Sequence, residues 1–278
     1  MKAAEMCPIL TENTLYYYGF ISGPRQWVSD FPACGGQRQS PINIITRKVQ
    51  YDPSLTPIMF EGYTEVMNIT VTNVGYAGES MASREWLLEP IKHNSLHLHS
   101  SLFVLLSKVH IVHIKEEYST LKEAMNDSVG VAALGFFFEV TLLGNMEKLY
   151  IYINIKRHIH NTNITDITGF QLGDLLISLE NFSGYYRYAG SLTTPSCDEA
   201  IIWTLFKQPI PLNIIIRQML FSTGKPMIDI FRPVLNLNGR TVYTSHACPC
   251  VLLIVLLKSH VSKIYKERQL DILQTNKC

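Results

Sequence analysis

The sequence lacks a strong charge of either sign, since 24 Lys and Arg residues nearly balance 23 Asp and Glu residues. The formal net charge of +1 provides no long-range field for binding nucleic acid or an anionic membrane surface. There is also no low-complexity tract, no internal repeat and no linker rich in proline or glycine. We therefore predict one domain and no nucleic-acid partner.

Long apolar runs are absent as well. The most apolar late segment, VLLIVLL at residues 251–257, is far shorter than the about 20 residues that a bilayer span needs. We interpret this segment as a core strand or helix and predict no membrane span. The first 18 residues do not contain the continuous apolar stretch of a signal peptide, so no secretion signal is expected there.

The 278 residues are 47% hydrophobic, which is enough for one large domain with a sizeable core. Strand signals dominate, because several apolar runs are rich in β-branched residues. Strands are predicted at residues 66–73, 108–114, 130–143 and 149–155, helices at 118–125 and 171–179, and turns at 22–24, 34–41 and 236–239. This pattern predicts a mainly β domain with short helices.

Three of the nine histidines are spaced as a metal site requires. His97 and His99 are two residues apart, so in a strand their side chains point to one face. His110 lies in a second β-branched run that can pair with the first. Three histidines with an open fourth position are typical of catalytic zinc, which lowers the pKa of bound water to about 7. The remaining candidates are His93, His113, His158 and His160.

Five segments resemble, in the correct order, the signature motifs of the α-class carbonic anhydrases. They are SGPRQW at 22–27, GGQRQSPINI at 35–44, YYRYAGSLTTPSCDE at 185–199, FRP at 231–233 and LNGR at 237–240. The resemblance extends over roughly residues 18–245, and residues 32–36 and 51–63 are most similar to secreted and membrane-anchored members.

The resemblance implies a single α-carbonic-anhydrase-like domain with a large twisted mixed β-sheet and short surface helices. We place this domain at residues 18–246 and predict irregular tails at 1–17 and 247–278. The implied activity is zinc-dependent, reversible hydration of carbon dioxide to bicarbonate and a proton. The substrate is therefore a small molecule, and the implied cofactor is Zn²⁺.

The family pattern also implies a role for individual residues. His97, His99 and His110 match the zinc ligands, and Thr193 matches the threonine that accepts a hydrogen bond from zinc hydroxide. Thr194 matches a residue of the bicarbonate site. An apolar wall for carbon dioxide is implied at Val112, Val131, Ala133, Leu192, Ile201 and Trp203.

Cys34 and Cys197 match the cysteines that form a disulfide in extracellular members of the family. The other cysteines, Cys7, Cys248, Cys250 and Cys278, have no counterpart in the pattern. Glycosylation triplets begin at Asn68, Asn126, Asn163 and Asn181. Together these features predict a glycoprotein of the secretory pathway or the extracellular space.

Departures from the family pattern concentrate around the proposed ligands. Tyr76 stands where fast members have a proton-relaying histidine, and its pKa near 10 makes it a poor relay at neutral pH. Lys108 replaces a glutamate that supports the third ligand. The segment between His99 and His110 is shortened, and with it the glutamate that orients the Thr193 position is lost. We therefore expect impaired hydration, or alternatively a non-catalytic binding module that retains the fold.

The shortening also constrains the hairpin. In an antiparallel strand pair, the residue numbers of two positions that face each other add up to the same value along the whole pair. If His99 faces His110, this rule puts the turn at Val104-Leu105. A tight two-residue turn favours Asn-Gly there, because both central residues of a type I′ turn need positive φ. The sequence thus allows the ligands to converge by spacing but disfavours the turn that convergence requires.

Overall fold

A computed structural model describes the greater part of the chain. The described residues are 23–73, 78–82, 88–89, 96–97, 101–105, 108–141, 164–174, 176, 182–213 and 231–246. Both predicted tails, the strand predicted at 149–155 and the apolar run at 251–257 lie outside them. Among the residues described, no helix has the length and apolar character needed to cross a bilayer.

The described residues are mainly strands. The strands are β1 Gln50–Tyr51, β2 Met59–Phe60, β3 Met67–Asn73, β4 Gly78–Ala82, β5 Leu88–Glu89, β6 Leu96–His97, β7 Ser101–Leu105, β8 Lys108–Lys115, β9 Val131–Thr141, β10 Ile164–Phe170, β11 Tyr185–Gly190, β12 Ile201–Phe206, β13 Ile210–Asn213 and β14 Tyr243–Thr244. They form one large sheet, in which ten strands follow the order β1-β14-β11-β12-β9-β8-β7-β4-β3-β10. Off this path, β13 pairs with β9, β6 pairs with β8 and β5, and β5 pairs with β2. Parallel pairs β1–β14, β9–β12 and β9–β13 make the sheet mixed, as predicted.

Helices are few and short in the described part of the chain. The α-helices are α1 Trp27–Asp30 and α2 Leu121–Ala124, and 3₁₀ turns span Pro32–Gly35, Thr46–Lys48 and Leu172–Asp174. Thr120 is the N-cap residue that precedes helix α2, and its side chain accepts a hydrogen bond from the Glu123 amide, as N-cap residues commonly do. The helix predicted at 118–125 is thus confirmed in shortened form, whereas the described part of 171–179 is a 3₁₀ turn.

The turn predicted at 236–239 is confirmed by its backbone. Asn238 and Gly239 have φ angles of 50° and 77°, the left-handed region in which these two residue types cost least. The strand predictions at 66–73, 108–114 and 130–143 are confirmed to within a few residues where the chain is described. The order of the strands and the predominance of strands over helices therefore both establish a mainly β fold with a large mixed sheet.

The central strand β8 is buried on both faces and organises two cores. Alternation sends Val109 and Ile111 into one cluster and Val112 and Ile114 into another. Its β-branched residues suit a strand that is covered on both sides. The first cluster contains Phe136, Tyr185 and Phe206, and the second contains Trp203. The two histidines of β8 consequently lie on opposite faces of the sheet.

Candidate functional site

His110 is the one proposed zinc ligand whose side chain the structure describes. It is buried, with 9% of its surface exposed, and the edge of its ring meets Trp203 with centroids 4.8 Å apart. Gly135 lies opposite it on β9. A Cβ at Gly135 would lie only 2.5 Å from Leu205 Cδ2, so the glycine makes room for Leu205, whereas the distance of 3.8 Å to His110 Cδ2 is an ordinary contact.

The six residues proposed as a carbon dioxide wall lie together on the His110 face of the sheet. Val112, Ala133 and Trp203 stand side by side across three neighbouring strands, and Val131 pairs with Ile201 in the same way. Five of the six are buried, and Leu192 packs against them from the following loop. The six residues thus form one apolar cluster on the His110 face, and their role in binding carbon dioxide stays a prediction.

The wall is joined to the segment that carries Thr193 and Thr194. The Trp203 indole donates a hydrogen bond of 3.0 Å to the Ser191 carbonyl. Ser191 also exchanges two hydrogen bonds with Ser40, at 2.9 and 3.1 Å, and Ser40 contacts the Tyr188 hydroxyl. These groups are buried, so the network fixes where the loop begins.

The far end of the same loop is held by a disulfide and by charged contacts. Cys34 and Cys197 are bonded, with their Cα atoms 4.9 Å apart, which confirms the predicted pair. Gln39 donates to the Cys197 carbonyl at 3.1 Å and to Glu199 Oε1 at 2.8 Å. Thr193 and Thr194 are therefore held between two fixed points on residues 191–199.

The Thr193 hydroxyl itself has no orienting partner within the described residues. No hydrogen bond to its side chain occurs there, although Thr193 is half-buried. The sequence predicts this situation, since the glutamate that orients this position in the family has no replacement. The loop backbone is fixed, while rotation of the hydroxyl is not restricted by a carboxylate from this part of the chain.

The pairing of β6 with β8 determines where the ligand strands meet. His97 lies opposite Ile114, four residues from His110 along β8. At 3.3–3.4 Å per residue, the two backbone positions are about 13 Å apart along the strand. Because side chains alternate along a strand, position 97 is on the same face of the sheet as Ile114, Val112 and His110. Residues 97 and 110 therefore share a face, but they lie too far apart along the strand to bind one metal ion.

The hairpin formed by β7 and β8 explains this offset. Leu105 pairs with Lys108 and Phe103 pairs with His110, so the strands are connected by residues 106 and 107. Val104 and Leu105 remain in β7, in agreement with their poor turn chemistry. The turn at Val104-Leu105 that convergence requires is absent from the described β7, and Phe103 occupies the register position opposite His110.

Several proposed site residues lie outside the described part. Tyr76 and His99 are outside it, and the side chain of His97 is not described. Among the side chains that are described, no group of three or more His, Cys, Asp or Glu residues is arranged to hold a metal ion. In the described register, position 97 lies too far along β8 from His110 for the two residues to share a metal ion.

Burial and charge both act on His110. Burial, and to a smaller extent the positive charge of Lys108, lower the pKa of His110 to about 3. Lys108 is itself poorly solvated, and burial lowers its own pKa. His110 is therefore a neutral imidazole at neutral pH, which is the form that binds metal, but it lies beside a cation that opposes a bound metal ion.

His113, on the opposite face of β8, forms a buried pair with Tyr63. Its Nε2 atom lies 3.0 Å from the Tyr63 hydroxyl, and both side chains are fully buried. The Nδ1 atom of His113 has no hydrogen-bond partner within the described structure. Burial lowers the pKa of His113 to about 3, so the folded protein holds this ring neutral.

This pair predicts a specific pH dependence of stability. The unfolded His113 titrates near pH 6.5 and the folded one near 3, so acidification between these values favours the unfolded chain. Stability should fall by up to about 1.4 kcal/mol per pH unit from this residue alone. In urea unfolding from about pH 6.5 to 4.5, His113→Gln should show the shallower loss. Parallel curves for the two proteins would contradict the assignment.

Sequence reasoning assigned no role to two arginines that tie the segment 231–240 to Cys34, Gln39 and Ala189. Arg232 donates to Gln39 Oε1 at 2.7 Å and to the Cys34 carbonyl at 2.8 Å, while its guanidinium lies over Trp27. Arg240 donates to the Gln39 and Ala189 carbonyls. All belong to motifs that the sequence displays, but which atoms they contact depends on tertiary structure.

Two of the four glycosylation triplets begin in the described residues. Asn68 on β3 and Asn126 after α2 are both exposed, as an acceptor asparagine must be. Asn163 and Asn181 lie outside the described residues.

Comparison with known proteins identifies related chains. The model of the eukaryotic-type carbonic anhydrase family matches residues 22–105 and 105–246, two pieces that meet at the end of β7. Carbonic anhydrase 12 of Homo sapiens is 29% identical over 88% of this chain and 77% of its own length. Carbonic anhydrase 4 of Oryctolagus cuniculus is 32% identical over 81% and 80%, and carbonic anhydrase 6 of Canis lupus familiaris is 30% identical over 78% and 75%.

Proposed function

Because the chain belongs to the eukaryotic-type carbonic anhydrase family, we propose that it hydrates carbon dioxide reversibly, at a rate well below that of intact members. The observation that carries this proposal is the apolar wall beside His110, together with the Thr193 loop fixed at both ends. These are the elements that would bind the substrate and position the reacting groups. The proposed catalytic residues are Thr193 and, as a weak proton relay, Tyr76.

The wall supplies binding and exclusion of water. Val112, Ala133 and Trp203 present carbon-rich surface to an uncharged, linear molecule, and burial keeps competing water out of this part of the site. Thr194 would contact the bicarbonate product from the adjoining loop. Thr193 would orient the attacking oxygen, and its missing carboxylate partner is one reason to expect a low rate.

The proposed metal ligands are His97, His99 and His110, and zinc would supply a hydroxide nucleophile at neutral pH. The described register does not fit one zinc ion shared by His97 and His110, because zinc–nitrogen distances of about 2.0–2.1 Å cannot bridge the separation. The ligand proposal therefore requires β6 and β8 to pair in a different register. The meeting of the two family-matched pieces at residue 105 supports a shortened segment at this point.

The same register favours a second candidate function. A chain that keeps the wall and loop but separates its ligands would be a binding module without turnover. Lys108 favours this alternative too, since its charge opposes a cation near His110. Zinc content and hydration rate distinguish the two, because a binding module has no zinc-dependent rate.

We also propose that the protein is made in the secretory pathway and is glycosylated. The disulfide between Cys34 and Cys197 supports an oxidising compartment, where such bonds persist. The exposed positions of Asn68 and Asn126 support modification. Enzymatic removal of N-linked glycans should therefore reduce the apparent mass of protein expressed in animal cells.

Stopped-flow hydration with and without a zinc chelator tests the enzymatic proposal. We expect a zinc-dependent rate, and we expect Thr193→Val to lower it by about tenfold or more because the hydroxyl is lost. Ser196→Ala is the matched control on the same loop, since Ser196 is exposed and its hydroxyl hydrogen-bonds only to Asp198 among the described residues. A protein with fully bound zinc and no rate above buffer would favour the binding module instead.

A further inference from the structure

We propose that Glu199 is a positioning residue for the threonine loop, residues 191–199, and that its carboxylate holds the end of this loop against residues 36–39. The carboxylate acts in parallel with the disulfide, which joins the same two parts of the chain. This inference rests on the proposed function, since it concerns the loop of the same site. It assigns a role to a carboxylate that is not one of the wall residues.

One oxygen of Glu199 accepts two hydrogen bonds from the facing segment. Oε1 accepts from the Arg38 backbone amide at 2.6 Å and from Gln39 Nε2 at 2.8 Å. The Gln39 side chain is buried, and its Nε2 atom also donates to the Cys197 carbonyl. Hydrogen bonds to an ionised acceptor are stronger than neutral ones. These contacts therefore form a noncovalent link between the two segments.

The Arg38 side chain extends this link toward the apolar wall. Its guanidinium donates to the Glu199 backbone carbonyl and, at 3.4 Å, to the Ser128 carbonyl. Strands β12 and β9 begin shortly after these two carbonyls, at Ile201 and Val131, which lie opposite each other. Arg38 and Glu199 together therefore fix the end of the threonine loop relative to the first pair of wall residues.

Gly36 provides the space that the carboxylate occupies. A Cβ at this position would lie 2.2 Å from Glu199 Oε1 and 2.7 Å from its Cδ, so a side chain there would displace the carboxylate. The φ angle of Gly36 is −66°, which alanine also adopts without strain. The close approach of Glu199, and not the backbone conformation, is therefore the reason for glycine at this position.

Backbone hydrogen bonds inside the threonine loop connect this attachment to the two threonines. The Leu192 amide donates to the Asp198 carbonyl at 3.0 Å, and the Cys197 amide donates to the Thr194 carbonyl at 2.9 Å. The first of these bonds closes the base of the loop, and its acceptor is the residue next to Glu199. Release of the carboxylate should therefore loosen the closure between Leu192 and Asp198, which encloses both threonines.

Four single substitutions test the role of the carboxylate. Glu199→Ala removes the acceptor, whereas Glu199→Gln keeps an acceptor oxygen on a side chain of the same length. Gly36→Ala displaces the carboxylate but leaves it in the protein. Gly35→Ala is the matched control, because the side chain closest to a Cβ there is Val28, at 3.1 Å, rather than Glu199. Hydrogen–deuterium exchange of residues 191–199 is measured by mass spectrometry on the full-length protein.

We expect Glu199→Ala and Gly36→Ala to accelerate exchange in the threonine loop about tenfold or more, because its base opens more often. Glu199→Gln should restore most of the protection, and Gly35→Ala should leave exchange close to that of the wild type. In stopped-flow hydration at saturating imidazole, the first two variants should lower kcat more than they raise KM, since the wall is retained.

Reduction of the disulfide should increase the effect of Glu199→Ala on exchange. Cys197 lies two residues before Glu199, so each link limits the movement that the other has to restrain. Changes that simply multiply would contradict the parallel arrangement, because independent sites are additive in free energy. Thermal unfolding verifies that each variant is folded, and Gly36→Ala provides the same test if Glu199→Ala does not fold.

Unchanged exchange of residues 191–199 in both Glu199→Ala and Gly36→Ala would overturn the inference, whatever the hydration rate. Equal acceleration in Gly35→Ala and Gly36→Ala would also overturn it, because the effect would then not depend on the carboxylate. The expected exchange pattern in a protein without zinc-dependent hydration would support the inference and contradict the proposed function, so the two failures are distinguishable.

Discussion

Replacing Ala133 with Phe is expected to lower the rate of carbon dioxide hydration by about 100-fold, because the new ring fills the apolar wall. Ala133 is buried at 2% exposure and lies between Val112 and Trp203 across the sheet. It therefore occupies the centre of the proposed substrate surface. The effect should be seen in stopped-flow hydration at saturating zinc.

Ala132→Phe is the matched control for this substitution. Ala132 is the adjacent residue, it is also buried, and it belongs to the core on the opposite face of the sheet. Overpacking should cost each variant about 1–3 kcal/mol of stability. Only Ala133→Phe should lose activity beyond what stability explains, and Ala133→Val should be intermediate. Equal losses of activity at positions 132 and 133 would contradict the location of the wall.

Removing the disulfide with Cys34→Ala and Cys197→Ala should lower the free energy of unfolding by about 2–5 kcal/mol. The bond closes a loop with a sequence separation of 163 residues, and both cysteines are buried beside Trp27. It also fixes one end of the loop that carries Thr193 and Thr194. We therefore expect lower hydration as well as a lower midpoint in denaturant unfolding.

Reduced wild-type protein provides the comparison for the disulfide variant. Reduction removes the covalent link but leaves the sulfur atoms in place, so the variant and the reduced protein should lose similar stability if the link itself is responsible. A variant whose unfolding free energy lies within about 0.5 kcal/mol of the oxidised wild type would contradict the assigned role.

Local patterns predicted the long strands β3, β8 and β9, whereas the large mixed sheet as a whole was predicted only from resemblance to the family. The β-branched run at 108–114 predicts the strand Lys108–Lys115 to within one residue, and the Asn238-Gly239 turn follows from backbone preference alone. The disulfide was different, since 163 residues separate its cysteines and only resemblance to a family linked them. Long-range pairs of this kind leave no periodic signal in the sequence.

The candidate site was predictable in part. The residues of the apolar wall follow from motif position, and strand alternation then brings them to one face. The register of β6, β7 and β8 could not be predicted, because turn chemistry, pairing with β4 and ligand convergence favour different answers. The Tyr63–His113 pair was also missed, since it depends on the approach of a loop to β8.

Hydration by the zinc-loaded wild type as a function of imidazole concentration tests the central claim most directly. Imidazole should accelerate the reaction modestly, because Tyr76 is a poor proton relay at neutral pH. The rate should then reach a low plateau, since buffer does not orient Thr193 or shift the strand register. A plateau at the level of intact family members would contradict this account, and so would the absence of any zinc-dependent rate.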